Sequence, residues 1–264
     1  MSAVRLVFSG VLLLALCLSC SSASAARPRE ILVGGYHFPP YLIKPEEESR
    51  GLVPDLVALF NQAQQRFHFS IVPTSAARRY RDLEQGRFDL MLFEDPDWGW
   101  RDVRYIGIDL RTSDAEVYVA RNAPGRGQGY FEQLTSKRLA LYNGYHYGFA
   151  GYNANPEFLS RSFNATLTYS HDSNLLMVLH DRADIALITR SYLDLLMARE
   201  PGLRDNLLVS RRVDQEYHLH AMLRPDAPIT REELAGLLQK LQENEEFQRL
   251  LAKYRLPFKK NDRR

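Results

Sequence analysis

Glu94, Asp95, Asp97, Trp98, Trp100 and Arg101 concentrate much of this chain's chemical potential in one short stretch. Neighbouring carboxylates can move a proton or hold an ammonium group. A guanidinium fork can clasp a carboxylate bidentately, and an indole can cover an apolar ring. The residues leading in, Gly86–Phe93, read as a helix stop at Gly86 followed by a buried strand over Phe88–Phe93. A loop just past the C-terminal end of a buried strand is where open α/β sheets bind ligands. This loop is the first candidate site, although Arg101 could equally form a surface ion pair with Asp97 or Asp102.

The elements that must position this loop alternate along the chain. Ile31–Gly35 reads as a strand, and Pro54 opens a helix with Leu56, Leu59, Phe60 and Ala63 on one face. Phe67–Val72 is a strand, Arg78–Gln85 a helix and Phe88–Phe93 the next strand, the order of a mainly parallel sheet. Ala115–Arg121 is extended. The loop Asn122–Tyr130 then carries glycines at G-x-G-x-G spacing, but no strand leads into it and no helix pattern follows, so it reads as a linker rather than a nucleotide loop. The alternation restarts with strands at Arg138–Tyr142 and Thr166–Ser170, a helix capped by Asp172, a buried strand Asp184–Ile188 and a helix Thr189–Arg199. Tyr217–Leu223 is extended, and two helices close the chain, the first opened by a Thr230/Glu233 capping box. Lys259–Arg264 reads as a charged, disordered tail.

The front end has the layout of a secretory signal peptide: Arg5, an apolar run from Leu6 to Leu18 too short to span a bilayer, and a small-residue site ending at Ala26. The mature chain is expected to start near Ala26 or Arg27 and to work in the periplasm where the source has one. Cys17 and Cys20, the two cysteines, both fall in that segment, which leaves the mature chain without disulfides or thiolate metal ligands. A lipid anchor at Cys20 is the less favoured start, because the residue three before it is Cys17 rather than leucine. With 34 Lys and Arg against 32 Asp and Glu, the charge gives no case for nucleic acid. No H-E-x-x-H, G-x-S-x-G or paired histidine cluster occurs in the mature chain, so no metal, cofactor or catalytic triad is expected.

Several motifs, weak singly, are specific in their order: Pro39-Pro40-Tyr41 after the first strand, Gly51-x-x-x-Asp55-Leu56, Gly86-x-x-Asp89, Arg101 twelve residues after Asp89, Gly144, and Arg182-Ala183-Asp184. From about Ile31 to Tyr254 the chain resembles the extracellular solute-binding proteins of the amino-acid-binding family, the receptors of ABC importers. The resemblance implies a two-lobed α/β fold of the periplasmic-binding-protein type II. Lobe 1 would be residues 27–114 with 224–264 and lobe 2 residues 122–216, joined by hinge strands near 115–121 and 217–223. It also implies a monomer that closes on a small polar ligand, an amino acid or related carboxylate, for a permease.

In such proteins an arginine at the place of Arg101 clamps the ligand carboxylate. Phe38 and Tyr41 fall where an aromatic wall is found, and Arg78 where some relatives carry an arginine beside the ligand. Tyr145, His146 and Tyr147 follow Gly144 at an expected helix start, whose free N–H groups favour anions. The acidic residue that usually holds the ammonium group is replaced here by Thr189, so Glu94 or Asp95 must serve, or the ligand has no free amino group. Trp98 or Trp100 would cover an apolar part. Asp89 and Asp184 are expected to be structural. A sensor docking on a membrane partner, or a lyase or dehydratase on the same fold, are the alternative readings.

Overall fold

The computed structural model describes residues 27–44 and 48–259. The expected signal peptide, the candidate lipid site at Cys20 and all of the charged tail but Lys259 lie outside the described residues.

The first unit runs β1 (Arg29–Gly35), α1 (Leu52–Ala63), β2 (Phe67–Pro73), α2 (Arg79–Glu84) and β3 (Leu90–Glu94), with β2 and β3 both parallel to β1. Leu52, Val53, Leu56, Val57, Leu59 and Phe60 form the buried stripe of α1. Gly51 caps it at φ +123°, where a Cβ would stand 2.5 Å from the Tyr41 carbonyl oxygen, so only glycine fits. Gly86 ends α2 at φ +69°, as its place predicts.

The second unit comprises β5 (Leu139–Tyr142), α3 (Pro156–Phe163), β6 (Ala165–Thr168), α4 (His171–Leu179), β7 (Ile185–Thr189), α5 (Arg190–Arg199) and the short α6 (Leu203–Asn206). Ser170, not Asp172, caps α4, accepting a hydrogen bond from Ser173 N. The helix α3, missed in the sequence, starts at Pro156 behind the Asn155 cap. The chain closes with α7 (Arg231–Gln242), which has the expected Thr230/Glu233 capping box, and α8 (Glu245–Lys253). Both pack on α1.

Two long strands, β4 (Ile106–Arg121) and β8 (Leu207–Leu223), run antiparallel through the middle. The expected hinges at 115–121 and 217–223 are only their last stretches. The hydrogen-bonded order β2-β1-β3-β8-β4-β7-β5-β6 is continuous through both halves, so the segments that link them are paired strands within one sheet. The physical reason is that the crossing segments satisfy their backbone groups on each other, interrupted only by register shifts at Asp109/Ser113, Glu116/Val117 and Val117/Val119. A smaller apolar cluster of Val117, Val119, Leu175, Val178, Ile188 and Leu193 lies where α4 and α5 meet the second half of the sheet, while the main core takes in most of the remaining buried residues.

Asp89 and Asp184 are structural, as read from the sequence. Asp89 accepts hydrogen bonds from Leu32 N and the Arg224 guanidinium, and Asp184 from the backbone and side chain of Arg138.

Candidate functional site

The parallel strands β1, β2, β5 and β6 end on a cavity of about 520 Å³. The first half supplies Tyr36 and His37 after β1, Thr74–Ala77 after β2, and Tyr80 of α2. The second half supplies Tyr142 at the end of β5 with Asn143, Gly144 and His146 after it, Ala154 and Pro156 at the start of α3, and Tyr169 after β6. A pocket at the carboxyl ends of strands, walled from both halves, is where this class of sheet takes ligands.

Next to it is a space of about 10 Å³, room for about one water, lined by Tyr36, Phe38, Arg79, Trp98, Gly144, Tyr145, His146 and Tyr217. Four residues proposed from sequence, Phe38, Trp98, Tyr145 and His146, therefore meet here. Phe38 stands edge-on to Tyr145 and to Trp98, at centroid distances of 5.3 and 5.7 Å, and Trp98 is edge-on to Tyr217 at 4.6 Å. Gln215 ties the halves together, accepting from Trp98 Nε1 at 3.0 Å and donating to the His146 carbonyl.

The two arginines proposed from sequence are not in this assembly. Arg101 is on the surface, its side chain 79% exposed and paired with Asp97 at 3.3 Å. Arg78 is also exposed and turns onto Ser75 Oγ. The inward arginine is Arg79, which shares the buried side of α2 with Asp82 and Leu83. That i, i+3, i+4 spacing was the signal that could have found it. Its Nε donates to Glu94 Oε2 at 3.0 Å, and its other nitrogens to the carbonyls of Ala76 and Trp98.

Neither a protein-family model nor a curated protein matches this sequence. Solved structures do. A histidine-bound substrate-binding protein of an ABC uptake transporter from Streptococcus pneumoniae is 20% identical, with TM-score 0.66 over 85% of this chain and 92% of that one. A histidine kinase sensor domain with similarity to periplasmic binding proteins is 19% identical, TM-score 0.61, over 86% and 96%. The ancestral amino-acid-binding protein AncCDT-1, a precursor of cyclohexadienyl dehydratase, is 14% identical, TM-score 0.62, over 87% and 95%. The chain has the periplasmic-binding-protein fold.

Within that fold the remaining sequence candidates hydrogen-bond to other parts of the protein. Glu94 is fully buried, accepts from Arg79 and from Trp100 Nε1 at 2.8 Å, and has no partner for Oε1 among the described residues. Burial raises its pKa against the pull of Arg79. It reaches this place because β3 shifts register between Met91 and Glu94, with Phe93 at φ +61°, so that Phe93 and Glu94 are both buried. Asp95 accepts from Asp97 N and from His218 N of β8, fixing the loop. Tyr41 donates to Asp114 Oδ2 at 2.7 Å, and Asp114 also accepts from Ser191. Thr189 is fully buried, 3.2 Å from His171 Nε2 and donating to Glu116 Oε2 at 3.3 Å. Tyr217 donates to the same Glu116 oxygen.

The expected helix start after Gly144 is also corrected. Tyr145–Tyr147 precede a single 3-10 turn, Gly148–Ala150, whose Gly148 and Phe149 N–H groups donate to Asp214, leaving none there for a ligand anion. Burial pushes the imidazoles of His146 and His171 down to about 3, helped at His146 by Arg79 and at His171 by His37. Both rings are neutral near pH 7. Tyr80, whose hydroxyl is 3.5 Å from His146 Nε2, is pushed up to about 12 by burial. Among the described residues no cluster of three His, Cys, Asp or Glu could hold a metal, and no helix is long and apolar enough to cross a membrane.

Proposed function

We propose that this chain is a solute-binding protein that captures one small molecule in the cavity between its two halves and presents the loaded form to a membrane partner. The observation that carries this reading is the cavity itself. Its volume suits a small ligand, both halves wall it, and it stands at the strand ends where the fold takes ligands. The proteins of like fold that bind histidine or serve as a sensor domain support capture in general. Periplasmic residence, export by the N-terminal segment and a monomeric state belong to the same proposal. The partner is an ABC permease or a membrane sensor, and genomic neighbours discriminate between them.

The finer expectation of a carboxylate ligand rested on Arg101. With Arg101 outside the cavity and Arg79 matched by Glu94, the reading keeps capture and drops the carboxylate clamp. The deciding experiment is native mass spectrometry of the freshly purified protein, followed by small-angle scattering with the identified compound. A stoichiometric small molecule whose return compacts the protein supports the proposal. Tyr80 and His146 are the pair an acid–base reaction would use, and turnover of the bound compound would replace capture with catalysis.

A further inference from the structure

We propose that the cavity takes an uncharged, planar ring compound, aromatic or heteroaromatic, and discriminates against zwitterionic amino acids. The inference rests on the solute-binding reading and names the ligand class for that same site. Tyr36, Tyr80, Tyr142 and His146 put rings around the cavity from both halves, and Ala76 and Ala77 keep part of its wall low and apolar. Tyr169 stands on its rim with 74% of its surface exposed, the most exposed large hydrophobic side chain among the described residues. Aromatic walls with small apolar spacers favour a flat ring held by offset or edge-on contact.

Charge argues the same way. Among the described residues lining the cavity, none is Lys, Arg, Asp or Glu. The cation lying deepest beside it, Arg79, is matched by Glu94 in a pair that is 1% and 0% exposed. An α-amino acid would bring its ammonium group into this space with no carboxylate among the lining residues to meet it, and its carboxylate with no positive charge to meet it beyond what the His37 imidazole carries, and unpaired desolvation of ions is strongly unfavourable. Neutral His146, Ser75 and Asn143 can exchange hydrogen bonds with ring nitrogens, hydroxyls or amides without adding charge.

The test is titration calorimetry on the full chain with matched probes: indole and benzamide as neutral rings, indole-3-acetate, benzylamine, L-tryptophan and L-phenylalanine as charged ones, and L-histidine and L-glutamate as polar amino acids. The expected result is saturable binding of a neutral ring at least about tenfold tighter than its charged counterpart, because each unpaired buried charge adds a desolvation penalty. Ala76→Trp, which fills the cavity, should abolish it, and Tyr169→Ala at the exposed rim should weaken it about threefold or more by removing one ring contact. Tyr169→Ala alone suffices if Ala76→Trp does not fold. Tighter binding of charged probes, lost in these variants, overturns the ligand class and leaves solute binding standing. No binding by any probe, or binding untouched by both variants, overturns the ligand class too. In that event a co-purified small molecule that Ala76→Trp does not displace defeats the solute-binding reading of this cavity as well.

Discussion

Arg79 and Glu94 face each other inside the protein, with Arg79 Nε 3.0 Å from Glu94 Oε2 and neither side chain reaching solvent by more than 1%. The ring of Tyr80 lies 4.3 Å from the guanidinium carbon, and Trp100 donates to the same carboxylate oxygen. Arg79 also lines the small space of about 10 Å³ next to the larger cavity, while Glu94 lines neither. Removing one partner leaves the other charge buried alone, so Arg79→Ala is expected to destabilise by about 3–5 kcal/mol. Arg79→Met combined with Glu94→Gln keeps a shape and an acceptor for Trp100 and is expected to cost less than Arg79→Ala alone. Urea denaturation of the three proteins measures this.

Arg101 makes the opposite prediction. Its ion pair with Asp97 is exposed on both sides, 79% and 52%. Arg101→Ala should change stability by no more than about 0.5 kcal/mol and affinity for any solute found to bind by no more than about twofold, as for surface positions generally. Calorimetry on the variant checks it, and a tenfold loss of affinity would restore Arg101 as a carboxylate clamp.

Glu116 should make stability fall as pH rises. Burial is the main cause that lifts its pKa well above the ordinary glutamate value, with Tyr217 and Thr189 pulling the other way. A folded pKa above the unfolded one means that folding takes up a proton. The stabilisation is full below about pH 4.5, the unfolded value, and is lost as pH rises through the folded pKa. Glu116→Gln fixes the neutral form, so its melting temperature should gain on wild type toward pH 9 and match it most closely near pH 4. A constant difference across this range would show that Glu116 does not titrate.

Buried His171 and half-buried His146 act at acid pH. His146 and His171 are held near 3 by burial, against about 6.5 in an unfolded chain, so between these values the unfolded state binds more protons. Their contribution is intact above pH 6.5 and is lost progressively as pH falls toward 3. Glu94, Asp114 and Glu116 have raised values and work in the other direction, so the sum is not diagnostic. The difference is diagnostic: His171→Gln should lose relatively less stability than wild type between pH 7 and pH 4, read as melting temperature against pH.

The fold was legible because periodicity and punctuation agree. Gly86, Pro54 and the Thr230/Glu233 pair each marked a boundary that backbone geometry alone would demand. The long strands were half read, since the first stretch of β8, Leu207–Gln215, carries Arg211, Arg212 and Asp214 at positions that polarity marks as loop. Asp214 is there to accept from Tyr118, Gly148 and Phe149, a tertiary reason invisible to local pattern. At the candidate site, Phe38, Tyr145 and His146 were legible as residues that follow strand ends, but of these only His146 lines the larger cavity, and Tyr36, Tyr80, Tyr142 and Tyr169 were not read from the sequence. The arginine was misassigned because spacing along the chain does not say which way a side chain turns. Arg78 and Arg79 are adjacent, yet one is exposed and the other is among the most buried side chains of the molecule.

The strands shared by both halves bear on how the chain can be made. The edge of β3 pairs with residues 220–223 of β8, and β7 lies between β4 and β5. During synthesis β3 therefore waits with one edge open until more than a hundred further residues have emerged, and a fragment cut at the Asn122–Tyr130 loop would keep that open edge permanently. Excised halves of this protein should aggregate rather than fold, and folding of the whole chain should be slow, governed by these distant pairings.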